Sequence, residues 1–448
     1  MFLVLLGLDL VGLINSPYLG ILTFIVLPGL FILGLLLIPL ARYLEARGRK
    51  TGIVVDLSDH DHQERAVILF GLTVVNVVIF SVATYRGVEF TDSNAFCGQV
   101  CHEVMEPQYT AYLNSPHSRV PCVSCHIGSG ADYFVRYKIN GLSQVAAVMM
   151  NSYPTPIPTP VANLRPARET CETCHWPAQF HGDKLLVKSR FQEDEANTRL
   201  DSVMLLKVGG GGPERGFSTG IHRHASHDQT VTYIATDRAR QEIVWVEVAN
   251  KAGEKFVYTK SGVPISDSLL AHGERHRMDC MDCHNRPTHV FRSPDDALDR
   301  AFLSGRLDRG LPQAKKLGMQ LLTSEYASKD EAVASIPLKV DAFYRENYPD
   351  VYGDFRASIA AAGETIRDTY AANVFPSMKI TWGTYANHIG HRDGGGCFRC
   401  HAGDHASADG REIASDCDAC HTMLAMEEKD PAILGQLFPQ AEGTKLWP

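Results

Sequence analysis

The sequence predicts a mainly α-helical and irregular protein, with transmembrane helices at its N-terminus and a larger part outside the membrane that carries a small β insertion and a helical insertion. Two observations lead to this prediction. Long uncharged apolar runs lie within the first 86 residues, and six closely similar cysteine–histidine motifs occupy the rest. With 448 residues, the chain is long enough for two or three domains. We expect no nucleic-acid partner for a chain of net charge −8.

Two apolar runs, Pro17–Leu40 and Ala66–Tyr85, contain no charged residue. About 20 apolar residues in a helix cross a hydrocarbon core of about 30 Å. We therefore predict transmembrane helices over 18–40 and 66–86, with the lipid bilayer as a partner. The preceding segment, 1–17, is apolar but shorter. It is interpreted as the end of a further span, an interfacial helix or a signal-like segment.

The loop over 41–65 carries most of the positive charge near the apolar runs. Its basic residues are Arg42, Arg47, Arg49, Lys50 and Arg65. No lysine or arginine precedes it, and only Arg86 follows the second run for thirty residues. Because basic loops stay in the cytoplasm, this distribution predicts a cytoplasmic loop and places everything after residue 86 on the other side. For a bacterial inner membrane, that side is the periplasm.

All twelve cysteines follow the second apolar run, in six pairs, and a histidine directly follows each pair. The pairs are Cys97/Cys101, Cys122/Cys125, Cys171/Cys174, Cys280/Cys283, Cys397/Cys400 and Cys417/Cys420, and the histidines are His102, His126, His175, His284, His401 and His421. In C-x-x-C-H the two thiols form thioethers to the haem vinyl groups and the histidine binds the iron. Zinc sites do not require that histidine, and a disulfide framework would not repeat the pair. We predict six covalent haems c, including one at the first motif with its three intervening residues.

A second histidine on each iron is expected from the thirteen outside the motifs. His60 and His62 lie in the cytoplasmic loop and are excluded. Among the other eleven, the sequence "IHRHASH" at 221–227 is expected to provide one ligand. His405, four residues after His401, is predicted to serve the same haem or a neighbouring one. The candidate second ligands are His117, His181, His224, His276, His388, His391 and His405.

The motifs divide the extramembrane part of the chain. The segment 87–182 carries the first three motifs and includes a proline-rich connector at 151–168, which is predicted to be extended. The segment 183–292 carries the fourth motif after two to four short strands with "NKAG" and "KSG" turns. The segment 293–380 is predicted to be helical, because Ser-Pro and Ser-x-x-Glu capping patterns begin its apolar runs. The last two motifs lie in 381–448.

The stretch "FCGQVCHEVMEPQYTAYLNSPHSRVPCVSCH", followed by "YKING" and "RETCETCH", resembles the NapC/NirT/NrfH family of membrane-anchored quinol dehydrogenases. "GIHRH" and "MKITWGTYANHIGH" are similar to the larger inner-membrane multihaem cytochromes of metal-respiring bacteria. The resemblance covers residues 96 to about 175. It implies oxidation of menaquinol at the periplasmic face, with electrons passed along the haems to periplasmic cytochromes or reductases in anaerobic or extracellular respiration.

Two positions depart from the family pattern. The family's first motif carries a methionine two positions after its histidine, whereas Met105 follows His102 by three. Met105 is a candidate ligand on this resemblance, with ordinary packing as the alternative. The family also places a lysine and an aspartate beside the quinol. Lys138 matches the lysine, and Gln144 stands at the acidic position.

The residues themselves give a separate argument for quinol chemistry. The first motif begins eleven residues after Arg86, so it is expected near the lipid headgroups, where a lipophilic donor is available. Quinol oxidation releases two protons and two electrons, so a polar group must bind or relay a proton. Lys138, Gln144 and Tyr109 are the candidates, and Lys138 is alternatively a snorkelling lysine or a partner of a haem propionate.

Two other functions remain open. A passive electron-transfer subunit would receive electrons from a quinol site on another protein. A multihaem reductase would act directly on a small oxyanion, although the sequence contains no C-x-x-C-K motif. Homo-oligomers and hetero-oligomers are both compatible with the sequence.

Overall fold

The computed structural model describes residues 60–439 except 129, 162–163, 177–181, 210–219, 227 and 392–394, together with Ser58 and a few isolated residues before it. The predicted segment 1–17 and most of 18–40 and 41–65 therefore lie outside the described residues. The chain divides into two units. The first comprises residues 1–106 and 120–124, and the second comprises 107–119 and 125–448.

A long apolar helix dominates the described part of the first unit. Helix α1 spans His60–Thr91, and its Ala66–Thr91 portion is long and apolar enough to cross a membrane. Apolar side chains such as Phe70 and Val67 are more than two-thirds exposed, as a lipid-facing helix requires. This helix agrees with the span predicted over 66–86. A π-helical turn, Phe96–Val100, and helix α2, His102–Leu113, follow it.

Short helices lie at the second and third motifs, and a longer helix lies between them. Helix α3 spans Cys122–His126, α4 spans Ala131–Met149 and α5 spans Ala167–Cys171. The described residues between α4 and α5 form no helix. This agrees with the predicted extended connector, since proline removes a backbone donor and clashes within helices.

Within the described residues, eight strands form two antiparallel sheets. They are β1 (Asp183–Phe191), β2 (Arg199–Lys207), β3 (Gln229–Ala235), β4 (Ile243–Asn250), β5 (Lys255–Lys260), β6 (His276–Arg277), β7 (His405–Ala406) and β8 (His421–Glu428). The strand orders are β1-β2-β8 and β6-β3-β4-β5-β7. The β region is thus larger than the two to four strands predicted, and the C-terminal segment completes both sheets. The "NKAG" turn does connect β4 to β5 as predicted.

Helices flank and follow the fourth motif. They are α6 (Asp267–His272), α7 (Cys280–Cys283), α8 (Pro294–Leu303), α9 (Ala314–Thr323), α10 (Lys329–Asn347), α11 (Pro349–Asp354), α12 (Arg356–Asn373) and α13 (Ala432–Leu437). The predicted caps are confirmed: the Ser293 hydroxyl accepts from the Asp296 amide at 3.2 Å, and Ser328 accepts from Glu331 at 3.1 Å. Helices α8 to α12 enclose an apolar core that includes Leu298.

Candidate haem sites

The cysteine–histidine motifs occupy short helical turns. Residues three apart are neighbours on such a turn, so two thiols separated by two residues project from the same side. In α7, the Asp279 carboxylate accepts from the Met281 amide at 2.8 Å, and the Asp282 carboxylate accepts from the Asp279 amide at 2.7 Å. The first motif instead forms a π-helical turn, and this wider turn accommodates its extra residue. None of the twelve cysteines forms a disulfide, and all twelve lie among the described residues.

The second cysteine of the third motif, Cys174, is exposed, as are Cys125 and Cys417 of other motifs. Helix α5 ends at Cys171, so Cys174 lies beyond the helix, and it is exposed, whereas Cys400 of the fifth motif is buried. The physical reason is that a turn carries it past the end of α5. The Cys174 amide still donates to the Cys171 carbonyl at 3.1 Å, and the Thr173 hydroxyl lies 3.9 Å from its Sγ. The role of Cys174 in haem attachment therefore stays a prediction from the motif.

In the second to sixth motifs, the motif histidine lies opposite a histidine from elsewhere in the chain. Ring centroids are separated by 6.2 Å for His126 and His289, 6.0 Å for His175 and His117, 6.4 Å for His284 and His222, 5.7 Å for His401 and His224, and 6.2 Å for His421 and His391. A metal bound by two imidazole nitrogens at about 2.0–2.1 Å each would separate the centroids by roughly 6 Å. The spacing therefore fits two histidines on one iron.

Four of these partner histidines use Nδ1 in a hydrogen bond to a backbone carbonyl. The pairs are His117 with Pro287 at 3.2 Å, His289 with Gln108 at 2.9 Å, His222 with Val208 at 3.0 Å and His224 with Ile221 at 2.8 Å. A bond at Nδ1 fixes the ring and leaves Nε2 available to a metal. The chemistry of the donor set thus also fits iron ligation.

Two predicted second ligands occupy a different environment. In His405, Nδ1 lies 2.7 Å from the Asp404 carboxylate and Nε2 lies 3.0 Å from the Ile243 carbonyl. In His388, Nδ1 lies 2.9 Å from the Asp282 carbonyl and Nε2 lies 2.6 Å from the Gln241 side-chain nitrogen. Both nitrogens of each ring are engaged by protein groups, so this geometry conflicts with the predicted role of either histidine as an iron ligand.

The remaining predictions fall into two groups. His276 packs beside the Tyr233 ring, with centroids 5.4 Å apart, and no motif histidine stacks with it among the described residues. His181 lies outside the described residues. The candidate ligands predicted from the sequence do not include His222 and His289. The spacing within "CHNRPTH" does not indicate that His289 is a ligand, because the histidine that it faces, His126, is more than 160 residues away in the sequence.

Thiols of consecutive motifs interact with one another throughout the series. The interacting pairs are Cys97 and Cys122, Cys125 and Cys171, Cys171 and Cys280, Cys283 and Cys397, and Cys397 and Cys420. The hydrogen bond with Cys97 lowers the pKa of Cys122 to about 7, whereas burial raises the pKa of Cys283 to about 11. Each motif therefore lies next to the one that follows it in the sequence.

Comparisons with known proteins show the family of this chain. The family model of the NapC/NirT cytochrome c family, N-terminal region, matches residues 60–157. The cytochrome c-type protein ImcH of Geobacter sulfurreducens is 43% identical over 431 residues, covering 94% of this chain and 84% of that protein. The chain belongs to the NapC/NirT type of multihaem cytochromes c. No solved structure matches it. The cytochrome is thus a membrane-anchored electron-transport protein, and its family implies covalently bound haem c.

Helix α4 of the cytochrome carries the candidate quinol lysine beside an exposed apolar stripe. Val135, Ile139, Leu142 and Met149 share one face, and Leu142 is 70% exposed. Lys138 is four residues before Leu142 and lies along the edge of this stripe, with Nζ 5.3 Å from the centroid of the neighbouring Phe134 ring.

The other two candidate quinol residues, Gln144 and Tyr109, lie outside the apolar stripe of α4. Gln144 is exposed and lies nine residues after Val135, which places it on the opposite face of α4. Tyr109 is half-buried on α2, where its ring stacks on Tyr112 with centroids 6.0 Å apart. The structure therefore does not place Lys138 and Gln144 on one face of their helix.

A buried arginine connects the fourth and fifth motifs of the cytochrome. Arg399 lies between Cys397 and Cys400 and is 8% exposed. Its guanidinium donates to three carbonyls, at 2.6 Å to Asp282, 2.9 Å to Arg240 and 2.9 Å to Gly396. Since Asp282 belongs to the fourth motif, these bonds fix the two motifs against each other.

Proposed function

We propose that the cytochrome oxidises a membrane quinol, with menaquinol as the expected substrate, and delivers the electrons through six haems c to periplasmic cytochromes or reductases. Haem c, when bound, supplies one-electron carriers. The proposed attachment residues are the twelve cysteines, the exposed Cys174 included, and the histidine that follows each pair. The proposed location is the bacterial inner membrane, with the motifs in the periplasm.

The single observation that carries this proposal is the spatial order of the motifs. In the first unit Cys97 interacts with Cys122, and in the second unit the thiols interact in sequence order from Cys125 to Cys420, which supports an electron path that follows the sequence. The path would begin at the motif that follows the membrane helix. It would end at the sixth motif, where Cys417 is exposed and therefore accessible to a partner.

The five histidine pairs are the proposed axial ligands of the second to sixth haems. Relative to the sequence prediction, His222 and His289 are added and His224 replaces His405 as the partner of His401. Met105 remains the proposed second ligand at the first motif. It lies half-buried on α2, and its amide donates to the Cys101 carbonyl at 2.9 Å.

Lys138 is the proposed quinol-binding residue. The apolar stripe on α4 offers a surface that suits a lipophilic molecule, and the Lys138 ammonium at its edge would donate a hydrogen bond to a quinol oxygen. Oxidation converts the quinol to a quinone with release of two protons and two electrons. Stabilising negative charge on that oxygen helps the first proton to leave. Tyr109 and Gln144 remain proposed as alternative proton-relay groups.

The test of quinol oxidation is Lys138→Met, which retains the apolar stem and removes the charge. We expect reduction by a menaquinol analogue to slow at least tenfold, or about 1.4 kcal/mol of barrier, with reduction by dithionite unchanged. The measurement is stopped-flow absorbance with each reductant. Arg136→Met is the matched control, since it removes a cation from the far side of the same helix.

The outcome also separates the alternative functions. Unchanged quinol kinetics in Lys138→Met, and again after Tyr109 and Gln144 are replaced, would favour the passive subunit. High-spin haem that binds nitrite or cyanide would favour the oxyanion reductase. Fully low-spin haems together with a slow Lys138→Met variant would support quinol oxidation.

The ligand proposal predicts opposite results for His224→Met and His405→Met. Replacing a nitrogen ligand by a thioether changes the iron's absorption and potential, so His224→Met should alter the spectrum of one haem. His405→Met should leave every haem spectrum unchanged, because its ring bonds only protein groups. Visible and near-infrared spectra of both variants make the comparison. A spectral change in His405→Met alone would return the role to His405.

A further inference from the structure

Arg286 is a buried cation in the loop between α7 and α8, within the sequence "CHNRPTH". It is only 7% exposed. Its guanidinium carbon lies 3.8 Å from the centroid of the Tyr385 ring and 5.6 Å from that of Phe291. Aromatic faces attract a guanidinium, but they do not accept its in-plane hydrogen bonds.

The hydrogen bonds of Arg286 are few and long. Nη1 donates to the His289 carbonyl at 3.5 Å, and Nη2 donates to the Thr159 hydroxyl at 3.3 Å. No carboxylate among the described residues forms an ion pair with this guanidinium. The Tyr385 hydroxyl donates its own hydrogen bond to the Ile157 carbonyl at 3.0 Å. Among the described residues, these two long bonds are the hydrogen bonds of a guanidinium that has five N–H donors.

Two other buried cations among the described residues, Arg399 and Lys315, have close polar partners. Arg399 makes three bonds of 2.6–2.9 Å to carbonyls, and Lys315 lies 2.6 Å from the Asp299 carboxylate. A buried charge without such partners is costly, so native proteins pair it. Arg286 has neither a carboxylate nor short bonds to carbonyls among the described residues, so an added anion would supply the acceptors that its guanidinium lacks.

The surroundings of Arg286 indicate where that anion comes from. Its contacts converge on His289: the His289 carbonyl accepts from the guanidinium, and the His289 ring faces His126. Gln108, whose carbonyl accepts from His289 Nδ1, also interacts with the hydroxyl of Tyr385. A haem held at this histidine pair carries two propionate carboxylates, and a guanidinium binds a carboxylate with two parallel hydrogen bonds.

We propose that Arg286 binds a propionate of the haem held between His126 and His289, an assignment that rests on the proposed ligand pairs. Arg286 would hold the porphyrin edge in place. Its positive charge would offset the propionate and favour the reduced state of that iron, which raises its potential. This makes Arg286 a cofactor-binding residue that also sets an electron-transfer property.

The first test compares Arg286→Met and Arg286→Lys by spectroelectrochemical titration with redox mediators, which requires no quinol. Arg286→Met should lower the reduction equilibrium constant of one haem about tenfold, or about 59 mV for one electron. Arg286→Lys keeps the charge and should shift it less. The affected haem must be the one whose potential also changes in His289→Met. Arg356→Met, which removes another arginine stacked on a tyrosine in the helical insert, should change no potential.

The second test identifies the anion. Growth on 5-aminolevulinate labelled with carbon-13 at its carboxyl group labels the propionates but not the protein carboxylates. The redox-difference infrared band of a labelled carboxylate should shift in Arg286→Met and not in Arg356→Met. Unchanged potentials and propionate bands, with all haems retained by mass spectrometry, would overturn the proposal, as would a shift confined to another haem. Where Arg286→Met fails to retain haem, Arg286→Lys decides by the same two measurements.

Discussion

The helical insert and the motif-bearing turns are stabilised in different ways. Helices α8 to α12 bury a continuous apolar cluster that includes Leu298, Ile336 and Ile366. The turn of α3 and the Cys417–Ala419 turn bury none of their own residues. The insert therefore has a hydrophobic core of its own, whereas the turns of the second and sixth motifs have none. We expect thioether and iron bonds to contribute to the order of these turns and not to that of the insert.

Removal of one haem attachment site is expected to produce the largest difference in amide protection between the motif turns and the helical insert. In a Cys280→Ala/Cys283→Ala variant, we expect loss of the fourth haem and at least a tenfold loss of amide protection, about 1.4 kcal/mol, in α7 and in the 221–225 turn that carries His222. Helices α10 and α12 should keep their protection, because their core contains no motif. Mass spectrometry of the intact chain and hydrogen exchange measure the two effects.

Equal loss of amide protection in α10 and α7 would contradict the independence of the insert from haem. Such a result would mean that the insert folds only on a haem-loaded scaffold. Retained protection throughout the variant would mean that the turns are ordered by the protein alone. The unaltered sixth motif, around Cys417, provides an internal control within the same molecule.

Sequence reasoning succeeded where the determining interactions are local. The Ser293 and Ser328 caps each depend on residues within four positions, and the turn between β4 and β5 on a short polar run. The motifs themselves are defined by spacing alone. These features could be read directly from the chain, because each neighbour that matters is adjacent in sequence.

The sequence could not pair residues that are distant along the chain. His224 is among the predicted ligands, but no sequence spacing connects it with His401, which its ring faces. His405 was selected for its proximity to His401 in sequence, but its ring is occupied by Asp404 and by the Ile243 carbonyl. The same reason explains the underestimated sheets, since β8 pairs with β2 across more than 200 residues. Which histidines become ligands is decided by tertiary packing.

Motif spacing also gave no information on how enclosed each thiol is. Cys174 and Cys400 are both the second cysteine of a C-x-x-C-H motif, yet Cys174 is exposed and Cys400 is buried. Burial depends on the elements that pack over a turn, and the spacing within the turn does not encode them.

The helical insert contains a buried ion pair that offers a sharper probe of its independence from haem. Lys315 is fully buried, and Nζ lies 2.6 Å from Asp299 Oδ1 and 2.9 Å from Asp295 Oδ1. The Asp299 carboxylate also accepts from the Phe191 amide at 3.1 Å, which ties β1 to α8. Burial raises the pKa of Asp299 above its ordinary value, while Lys315 opposes that change.

Lys315→Met should destabilise the insert by about 3 kcal/mol, because it leaves the Asp299 carboxylate buried without its cation. Hydrogen exchange of α8, α9 and α12 measures this loss, since a multidomain chain does not unfold in two states. Without Lys315 the folded-state pKa of Asp299 rises further, so folding then binds a proton and the loss should shrink as the pH falls from about 8 to about 5. Arg345→Met, which removes an exposed pair with Asp341, should cost under about 1 kcal/mol at either pH. Unchanged hydrogen exchange of α8, α9 and α12 in Lys315→Met would contradict this prediction. It would mean that haem, rather than this core, stabilises the insert.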